Sequence, residues 1–421
     1  MNRLLSLTIA LMLPAAGFAA EWQVVPGPEA ISQALSRAAD GDHLILGPGT
    51  YQERLVLDRA ITIDGGGQAV IDGGGQGSTI TVTASDVTVR GVTVLGSGSS
   101  HDTVDAGVTL SKTAKRSLIE NNLLQDNLYG VNIHGAQDAT VRANRIEGRR
   151  DHRKNDRGNG IYVWNAPGAL VEDNRVRWGR DGIFVNSSRD NIFRNNEFRD
   201  LRFAVHYMYA NDSELTGNLS LGNDLGYAVM FSQRVRIADN ISVDDREHGI
   251  MFNYATDSEI TGNYVLRGQE KCAFFYNAHK NLIEGNRFEN CGIGIHFTAG
   301  SDRNRIVGNA FIGNRTQVKY VSTRWTEWSA DGRGNYWSDF AAYDVNADGI
   351  ADTPHRPNDS IDQILWTQPT AKLLLGSPAI QLVRWSQSAF PALLPGGVVD
   401  SAPMMRPVDI ELPEEAKQDD G

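Results

Sequence analysis

The chain has 421 residues, a net charge of −11 at pH 7, 43 glycines and two cysteines. An acidic chain without a compensating basic block is a poor ligand for nucleic acid, and two cysteines are too few for a disulfide-framed scaffold. The glycine content, with many asparagines, favours a turn-dense β protein.

Residues 1–19 are predicted to be a secretory signal peptide. A basic start at Arg3 precedes an apolar run from Leu4 to Leu13, and small residues follow at Gly17 and Ala19. Such a leader is typical of bacterial export, so the periplasm is the predicted location. No later stretch has the roughly 18 consecutive apolar residues of a membrane-spanning helix. The mature chain is therefore expected not to span a membrane itself.

A short helix is predicted near the start of the mature chain. Apolar residues recur at helical spacing between Pro28 and Ala39, and several short strands between Gly and Asp turns follow. An amphipathic helix here would cover the open first coil of a strand-built solenoid, whose edge would otherwise be exposed.

An asparagine repeat dominates the middle of the chain. Its spacing is 22 or 23 residues, except for one step of 30 that contains the polar loop Arg149–Asp156; the positions are Asn122, Asn144, Asn174, Asn196, Asn218, Asn240, Asn263, Asn286 and Asn309. Asparagine tolerates the left-handed backbone region and can stack as a hydrogen-bonded ladder. The prediction is an all-β fold, a right-handed parallel β-helix over residues 20–335 with an N-terminal capping helix.

Five short strands between Phe203 and Thr298 carry the functional prediction. They are written FAVHYM (Phe203–Met208), YAVMFS (Tyr227–Ser232), HGIMFN (His248–Asn253), CAFFYN (Cys272–Asn277) and IGIHFT (Ile293–Thr298). Alternation points the third and fifth residues inward and the fourth outward. The predicted outward column is His206, Met230, Met251, Phe275 and His296, with Met208 on the same side as His206.

Thioethers and imidazoles on an exposed strand face form a soft ligand set. Such a set favours Cu(I) over Zn²⁺, Ca²⁺ or Mg²⁺, and methionine is flexible enough to converge on one ion from adjacent coils. The predicted copper ligands are His206, Met208, Met230, Met251 and His296. The same residues could instead form an apolar seat for the C-terminal tail or a partner, and the spacing leaves both interpretations open.

Two further sites are predicted with structural roles. Cys272 and Cys291 lie on neighbouring coils, and a disulfide is favoured over a thiolate copper site in an oxidising compartment. A second motif, Asp344-x-Asn346-x-Asp348 followed by Asp352, matches the start of a calcium-binding loop. The bidentate glutamate expected at its twelfth position is His355. The sequence therefore leaves open whether this loop binds Ca²⁺ as a structural clip or binds no ion.

The end of the chain departs from the repeat. Residues 336–367 are predicted to cap the β-helix, and residues 368–421 form a Pro- and Leu-rich tail with an acidic end. The tail either folds back over the β-helix or docks on a membrane partner, and the sequence leaves both alternatives open.

Many β-helices cleave acidic polysaccharides, so an enzyme is the principal alternative. Such enzymes need clustered carboxylates with Lys or Arg. The predicted outward positions of the five strands contain no Asp or Glu. We therefore predict a binding protein without catalytic residues, and keep a polysaccharide-binding or -cleaving β-helix as the alternative.

The leader, the Asn-ended coils, the His- and Met-bearing strands, and GNYWSDF followed by DVNADGIADTPHR resemble the NosD family. The resemblance implies a periplasmic copper-processing protein for maturation of nitrous oxide reductase. It also implies partners: an ABC transporter with permease and ATPase subunits, a copper chaperone lipoprotein, and the reductase itself. These partners, and a peripheral place at the inner membrane through the transporter, follow from the resemblance alone.

Overall fold

The computed structural model describes residues 19–150, 153–298, 300–321, 324–374, 376–390 and 396–417. The predicted signal peptide, apart from its last residue, lies outside these ranges. Within them the chain winds into a parallel β-helix, in which each strand pairs with the strand one coil later. The predicted fold class is confirmed.

The asparagine repeat forms a ladder at one turn of the coil. Asn196 is buried, and its backbone N–H donates to Oδ1 of Asn218 at 3.0 Å, while its side-chain amide donates to the same oxygen at 2.9 Å. Equivalent bonds join the other coils and continue to Asn335. Each turn is thus hydrogen-bonded to the next, which fixes the coil length.

The largest sheet contains two strand series that follow each other in every coil. Its 24 strands are Glu21–Val24, His43–Leu46, Gly49–Gln52, Thr62–Asp72, Thr88–Leu95, Leu118–Glu120, Leu123–Asn127, Thr140–Arg142, Arg145–Gly148, Leu170–Glu172, Arg175–Arg177, Ile192–Arg194, Glu197–Arg199, Ser213–Thr216, Leu219–Leu221, Val235–Ala238, Ile241–Val243, Glu259–Thr261, Tyr264–Leu266, Leu282–Glu284, Arg287–Glu289, Arg305–Val307, Ala310–Ile312 and Tyr336–Trp337.

A second sheet of 12 strands forms the remaining side of the β-helix. Its strands are Leu55–Leu57, Ile80–Val82, Ala106–Leu110, Tyr129–His134, Ile161–Trp164, Asp181–Asn186, Phe203–Met208, Leu225–Met230, His248–Asn253, Lys271–Tyr276, Ile293–Thr298 and Thr316–Val321. The inward residues of both sheets meet in one core of Val, Ile, Leu and Phe side chains. The predicted copper residues all lie on this second sheet.

A short helix covers the N-terminal end of the β-helix. Helix α1 (Ala30–Leu35) buries Ile31 and Leu35 in the core. The Glu53 carboxylate accepts hydrogen bonds from the backbone N–H groups of Ile31 and Ser32, at 2.9 and 3.0 Å. These bonds satisfy helix-start donors that have no partner inside the helix.

Two helices near the C-terminus expose apolar side chains, whereas the segment that follows them packs on the β-helix. Helices α2 (Ser360–Thr367) and α3 (Pro378–Ala389), joined by a 3₁₀ turn at Pro369–Leu374, leave large apolar side chains exposed. The two-stranded pair Trp325–Glu327 and Gly397–Val399 then returns the chain to the β-helix.

Residues 410–417 pack along the large sheet and include helix α4 (Glu414–Lys417). Ile410, Leu412 and Ala416 contact outward apolar residues of three successive coils, among them Ile241 and Tyr264. This part of the tail therefore folds back over the β-helix, as one of the two interpretations expected.

Candidate metal centre

The five strands Phe203–Met208, Leu225–Met230, His248–Asn253, Lys271–Tyr276 and Ile293–Thr298 are here called rungs I to V. The bounds of rungs I, III and V agree with the sequence prediction. Rung II begins two residues earlier than predicted and rung IV one residue earlier.

The register explains both differences. The second position of every rung holds a small residue, and in rung II that residue is Gly226, whereas the prediction used Ala228. A Cβ atom at Gly226 would lie 2.4 Å from the carbonyl oxygen of Gly249 on the next rung. Only glycine fits so close an approach of backbones.

The outward columns are corrected accordingly. His206 pairs with Ala228 and then Met251, whereas Met230 pairs with Met208 in the neighbouring column. The predicted alignment of Met230 directly beneath His206 is therefore wrong.

Rung IV shows a second correction. Phe275 is fully buried in the core, and Phe274 takes the outward place between Met251 and His296. The prediction that Phe275 points outward is wrong. A slip of one residue along a strand exchanges the two faces of a sheet, which explains the error.

The corrected register still brings four of the predicted ligands together. Ala228 lies between His206 and Met251 in one column, and beside it Met208 and Met230 are paired neighbours. Successive rungs are about 4.8 Å apart. Because alanine is short, no long side chain stands between His206 and Met251 in this column, and the thioethers of Met208 and Met230 lie in the column beside it. We call His206, Met208, Met230 and Met251 the His/Met cluster.

His206 is oriented by a buried carboxylate. Its Nδ1 lies 3.3 Å from Oδ2 of Asp181, and Arg202 donates two hydrogen bonds to the same carboxylate, at 2.8 and 2.6 Å. Burial acts to raise the pKa of Asp181, but the hydrogen bonds from His206 and Arg202 outweigh it and hold the pKa below its usual value. An ionised Asp181 places the imidazole proton on Nδ1.

The other nitrogen of His206 has no hydrogen-bond partner. Nε2 is buried, and the ring packs against Phe184 and Phe203, each with ring centroids 4.8 Å away. A carboxylate on one imidazole nitrogen and an open lone pair on the other is the usual arrangement of a metal-binding histidine. Asp181 enters the site from the preceding coil, so sequence spacing alone did not identify this contact.

A histidine at a strand edge is more often a turn residue than a ligand, but His248 belongs to this face, where its ring contacts Phe274. It is buried at the start of rung III, the rung of Met251, and its Nδ1 has no partner. Burial, together with Lys271, lowers its pKa, so the ring is neutral at pH 7. A neutral imidazole with an open nitrogen is a competent metal ligand.

His296 lies away from the His/Met cluster. Phe274 separates it from Met251, with the ring centroids of Phe274 and His296 4.9 Å apart, and Lys319 follows it in the column. Burial and the charges of Lys319 and Lys271 lower its pKa to about 4. The structure thus does not bring His296 together with the other predicted ligands.

The remaining predicted residues have structural surroundings. Cys272 and Cys291 are joined as a buried disulfide, so their thiols are not free. In the calcium-type loop Asp344, Asp348 and Asp352 accept hydrogen bonds from backbone N–H groups of the same loop, and Asn346 donates to Asp348.

The twelfth loop position does not supply a ligand to this loop. His355 packs against Phe340 and Trp337, and its backbone pairs with Asp400. Across the described ranges, no three His, Cys, Asp or Glu side chains form a metal-binding group. A calcium site is therefore unsupported, and a copper site in this part of the chain would depend on thioethers.

Comparisons with known proteins identify the family. A family model described as periplasmic copper-binding protein (NosD) matches residues 143–342. A probable ABC transporter binding protein NosD of Pseudomonas aeruginosa is 44% identical over 87% of this chain and 89% of its own length. The chain belongs to the NosD family. The corresponding NosD protein of Stutzerimonas stutzeri is 40% identical over 85% of each chain.

Solved structures resemble the chain in fold alone. The surface adhesin PfbA of Streptococcus pneumoniae superposes with a TM-score of 0.55 at 11% identity, over 69% of this chain and 86% of the adhesin. An alginate lyase in complex with a trisaccharide superposes with a TM-score of 0.51 at 14% identity, over 72% of this chain and 84% of the lyase.

Among the described residues, none of the helices combines the length and the apolar character that a membrane crossing requires.

Proposed function

We propose that this NosD-family protein receives Cu(I) at the His/Met cluster and helps deliver it to the copper centres of nitrous oxide reductase, working with an ABC transporter in the periplasm. The observation that carries the proposal is that three outward thioethers lie in the same two columns as His206. Asp181 contacts Nδ1 of this histidine and leaves Nε2 without a hydrogen-bond partner.

The chemistry of the cluster suits cargo better than a permanent cofactor. Neutral thioether and imidazole ligands leave bound Cu(I) with its single positive charge, and soft ligands select Cu(I) over harder ions. Since all three thioethers lie on the outer face, an incoming ligand can replace them one at a time. His248 and His296, neutral further along the same face, offer stations beyond the cluster.

Binding, and not catalysis, is the proposed role of this face. On the strands of the second sheet from Asp181–Asn186 to Ile293–Thr298, all of them described, Asp181 is the one carboxylate, and it is buried. It is occupied by Arg202 and His206. A glycosidase or lyase needs carboxylates that are free to reach the substrate.

Anaerobic Cu(I) titration against a chelator tests the cluster. Met230→Leu and Met251→Leu keep the side-chain volume and remove the sulfur, and each is expected to weaken binding by about tenfold or more, equivalent to ~1.4 kcal/mol. Met404→Leu is the matched control, because Met404 lies in the C-terminal tail, where its sulfur accepts a hydrogen bond from Arg333. Unchanged affinity in both cluster variants would refute the site.

The exposed helices are proposed to dock on the permease subunit of the transporter. Leu373, Leu382 and Phe390 are 91%, 64% and 60% exposed, although they belong to one short helical segment. An apolar surface of this kind marks an interaction site. The two helices are held together by an ion pair, since Nε of Arg384 in α3 lies 2.9 Å from the carboxylate of Asp359, the residue that caps α2.

Co-purification with the permease–ATPase complex in detergent tests this docking. Leu373→Ser, Leu382→Ser and Phe390→Ser combined are expected to abolish retention, while Val345→Ser, a control at an 83% exposed site outside the segment, leaves it intact. Retention of the triple variant at the parent level would contradict docking through α2 and α3.

A further inference from the structure

Three aromatic residues follow the Met- and His-bearing rungs directly. Tyr209, Phe231 and Tyr254 occupy the turn position after rungs I, II and III, and are 53%, 39% and 47% exposed. We call them the aromatic rail. Tyr209 is the chain neighbour of Met208, and Phe231 that of Met230, so the rail borders the His/Met cluster.

The backbone makes these residues unusual. Their φ angles are 53°, 50° and 51°, in the left-handed region. Bulky side chains seldom occupy that region, whereas glycine and asparagine enter it readily. The turn position therefore favours a different residue type from the one present in all three coils.

Neighbouring coils show what the turn normally carries. The same position is Gly135, Asn165 and Ser187 in the three preceding coils, and Asn277 in the coil after the rail, all with positive φ. The aromatic residues are thus confined to the coils that carry the His/Met cluster. A role limited to turn formation does not explain that confinement.

The ring geometry restricts what the rail can bind. Tyr209 and Phe231 stack at 5.2 Å and 19°, and Phe231 and Tyr254 at 5.3 Å and 9°, while Tyr276 closes the end edge-on. Phe231 is therefore stacked between two rings, Tyr254 contacts a ring on each side, and Tyr209 is covered on one face. A sugar ring needs an open aromatic face, but apolar protein side chains pack well against edges.

Charged residues follow the rail three positions further along each coil, and they pair across neighbouring coils. Arg234 forms two hydrogen bonds with Asp212 across adjacent coils, and Lys280 lies 3.9 Å from Asp257. An apolar centre with a polar, charge-paired rim is the usual anatomy of a protein–protein interface.

We propose that the aromatic rail is the docking surface for the protein that exchanges Cu(I) with the His/Met cluster. This inference rests on the proposed function. Ligand exchange requires a ligand of the partner to approach the copper that the thioethers hold, so the partner must cover Met208 and Met230. The adjoining rail is then the surface it contacts, and the occupant is a copper-carrying protein with an apolar rim around its metal site.

The test replaces the rail with the residue that its neighbours carry. Tyr209→Asn, Phe231→Asn and Tyr254→Asn combined suit the left-handed turn, and circular dichroism confirms folding. Tyr343→Asn, 54% exposed in the C-terminal cap, is the matched control. Anaerobic stopped-flow follows Cu(I) transfer from the copper chaperone lipoprotein, made without its lipid, and separately from a small-molecule chelator.

The triple variant is expected to keep its Cu(I) affinity within about twofold and to accept copper from the chelator at the parent rate, while transfer from the chaperone slows by about tenfold or more. Parent-like transfer from the chaperone would overturn docking at the rail. A parallel loss of Cu(I) affinity would show that the rail belongs to the ligand site, and this too overturns the proposal.

Two further outcomes separate this inference from the proposed function. If the parent protein binds no Cu(I), the proposed function fails, and binding of the copper-free chaperone to parent and triple variant still tests the rail. If the parent is a dimer and the triple variant a monomer, the rail joins two copies of this chain, and the docking proposal is wrong.

Discussion

The asparagine ladder and the outer face of rungs I to III repeat at the same spacing, yet they differ in how their polar atoms are satisfied. Asn196 is buried, and its amide donates to Val171, Arg194 and Asn218 while its oxygen accepts from Asn174. Every hydrogen-bonding group of this side chain is used within the protein. The ladder therefore offers nothing to a ligand.

On the outer face of rungs I to III, several side-chain groups have no partner within the protein. Nε2 of His206 and Nδ1 of His248 are buried without partners, and three thioethers point outward around Ala228. A buried polar atom without a partner lowers stability, and such groups persist where a function requires them. The comparison teaches that a complete column stabilises the fold, whereas an incomplete column keeps groups that a ligand could use.

The largest effect is expected from breaking the ladder. Asn196→Ala removes the acceptor for the backbone N–H and the amide of Asn174, and should lower the free energy of unfolding by about 3 to 4 kcal/mol. Urea denaturation followed by circular dichroism measures the loss. Asn186→Ala, on the outer face and only half-buried, should cost less than about 1 kcal/mol; equal losses would contradict the distinction.

Removing the disulfide is the next largest change. The bond closes a segment with a sequence separation of 19 residues, for which the chain-entropy estimate is about 3 kcal/mol. Cys272→Ala with Cys291→Ala should show that loss in urea denaturation and keep the Cu(I) affinity of the parent, because both side chains lie inside the coil. A fall in Cu(I) affinity would support the thiolate site instead.

Asp181 is buried like the ladder asparagines, but it contacts His206 on the outer face. Asp181→Asn removes the acceptor that orients His206 and should weaken Cu(I) binding by about 10- to 100-fold. Asp302→Asn is a matched control, because Asp302 also pairs with a histidine, His279, but far from the cluster. Equal effects of both variants would exclude a specific role for Asp181.

The same variant has a pH signature. Folding lowers the pKa of Asp181 below 3.8, the ordinary value of this carboxyl group. The ionised carboxylate therefore stabilises the fold fully at pH values above 3.8. This stabilisation is lost as the pH falls through the lower folded pKa. The free energy of unfolding is measured from about pH 5 to about pH 2, a range that includes the ordinary pKa of an aspartate. It should depend less on pH in Asp181→Asn than in the parent.

A larger side chain at position 228 tests the site without removing any ligand. Ala228→Leu adds a larger side chain between His206 and Met251 and should weaken Cu(I) binding by about tenfold, because the ligands can no longer converge. Thr298→Leu makes a similar change on the outer face of rung V. Tight binding by Ala228→Leu would show that the ion is held elsewhere.

The sequence predicted the ladder and the fold well because the asparagines recur at nearly constant spacing. The outward register was harder, because LGYAVM contains two small residues and only the contact of Gly226 with Gly249 selects the first. The contact between Asp181 and His206 joins different coils, so no local pattern reveals it. His248 was missed because its position at a strand start resembles a turn.

Replacement of His296 is expected to have the smallest effect on Cu(I) affinity. It tests how far the copper-binding part of the outer face extends along the coils. Phe274 stands between it and Met251, and its pKa of about 4 leaves it neutral but remote from the cluster. His296→Ala should change Cu(I) affinity by less than about threefold, while His248→Ala, on the rung of Met251, should weaken it more. If the order is reversed, the copper-binding part of the column extends past Phe274, and the site is centred nearer rung V than Ala228.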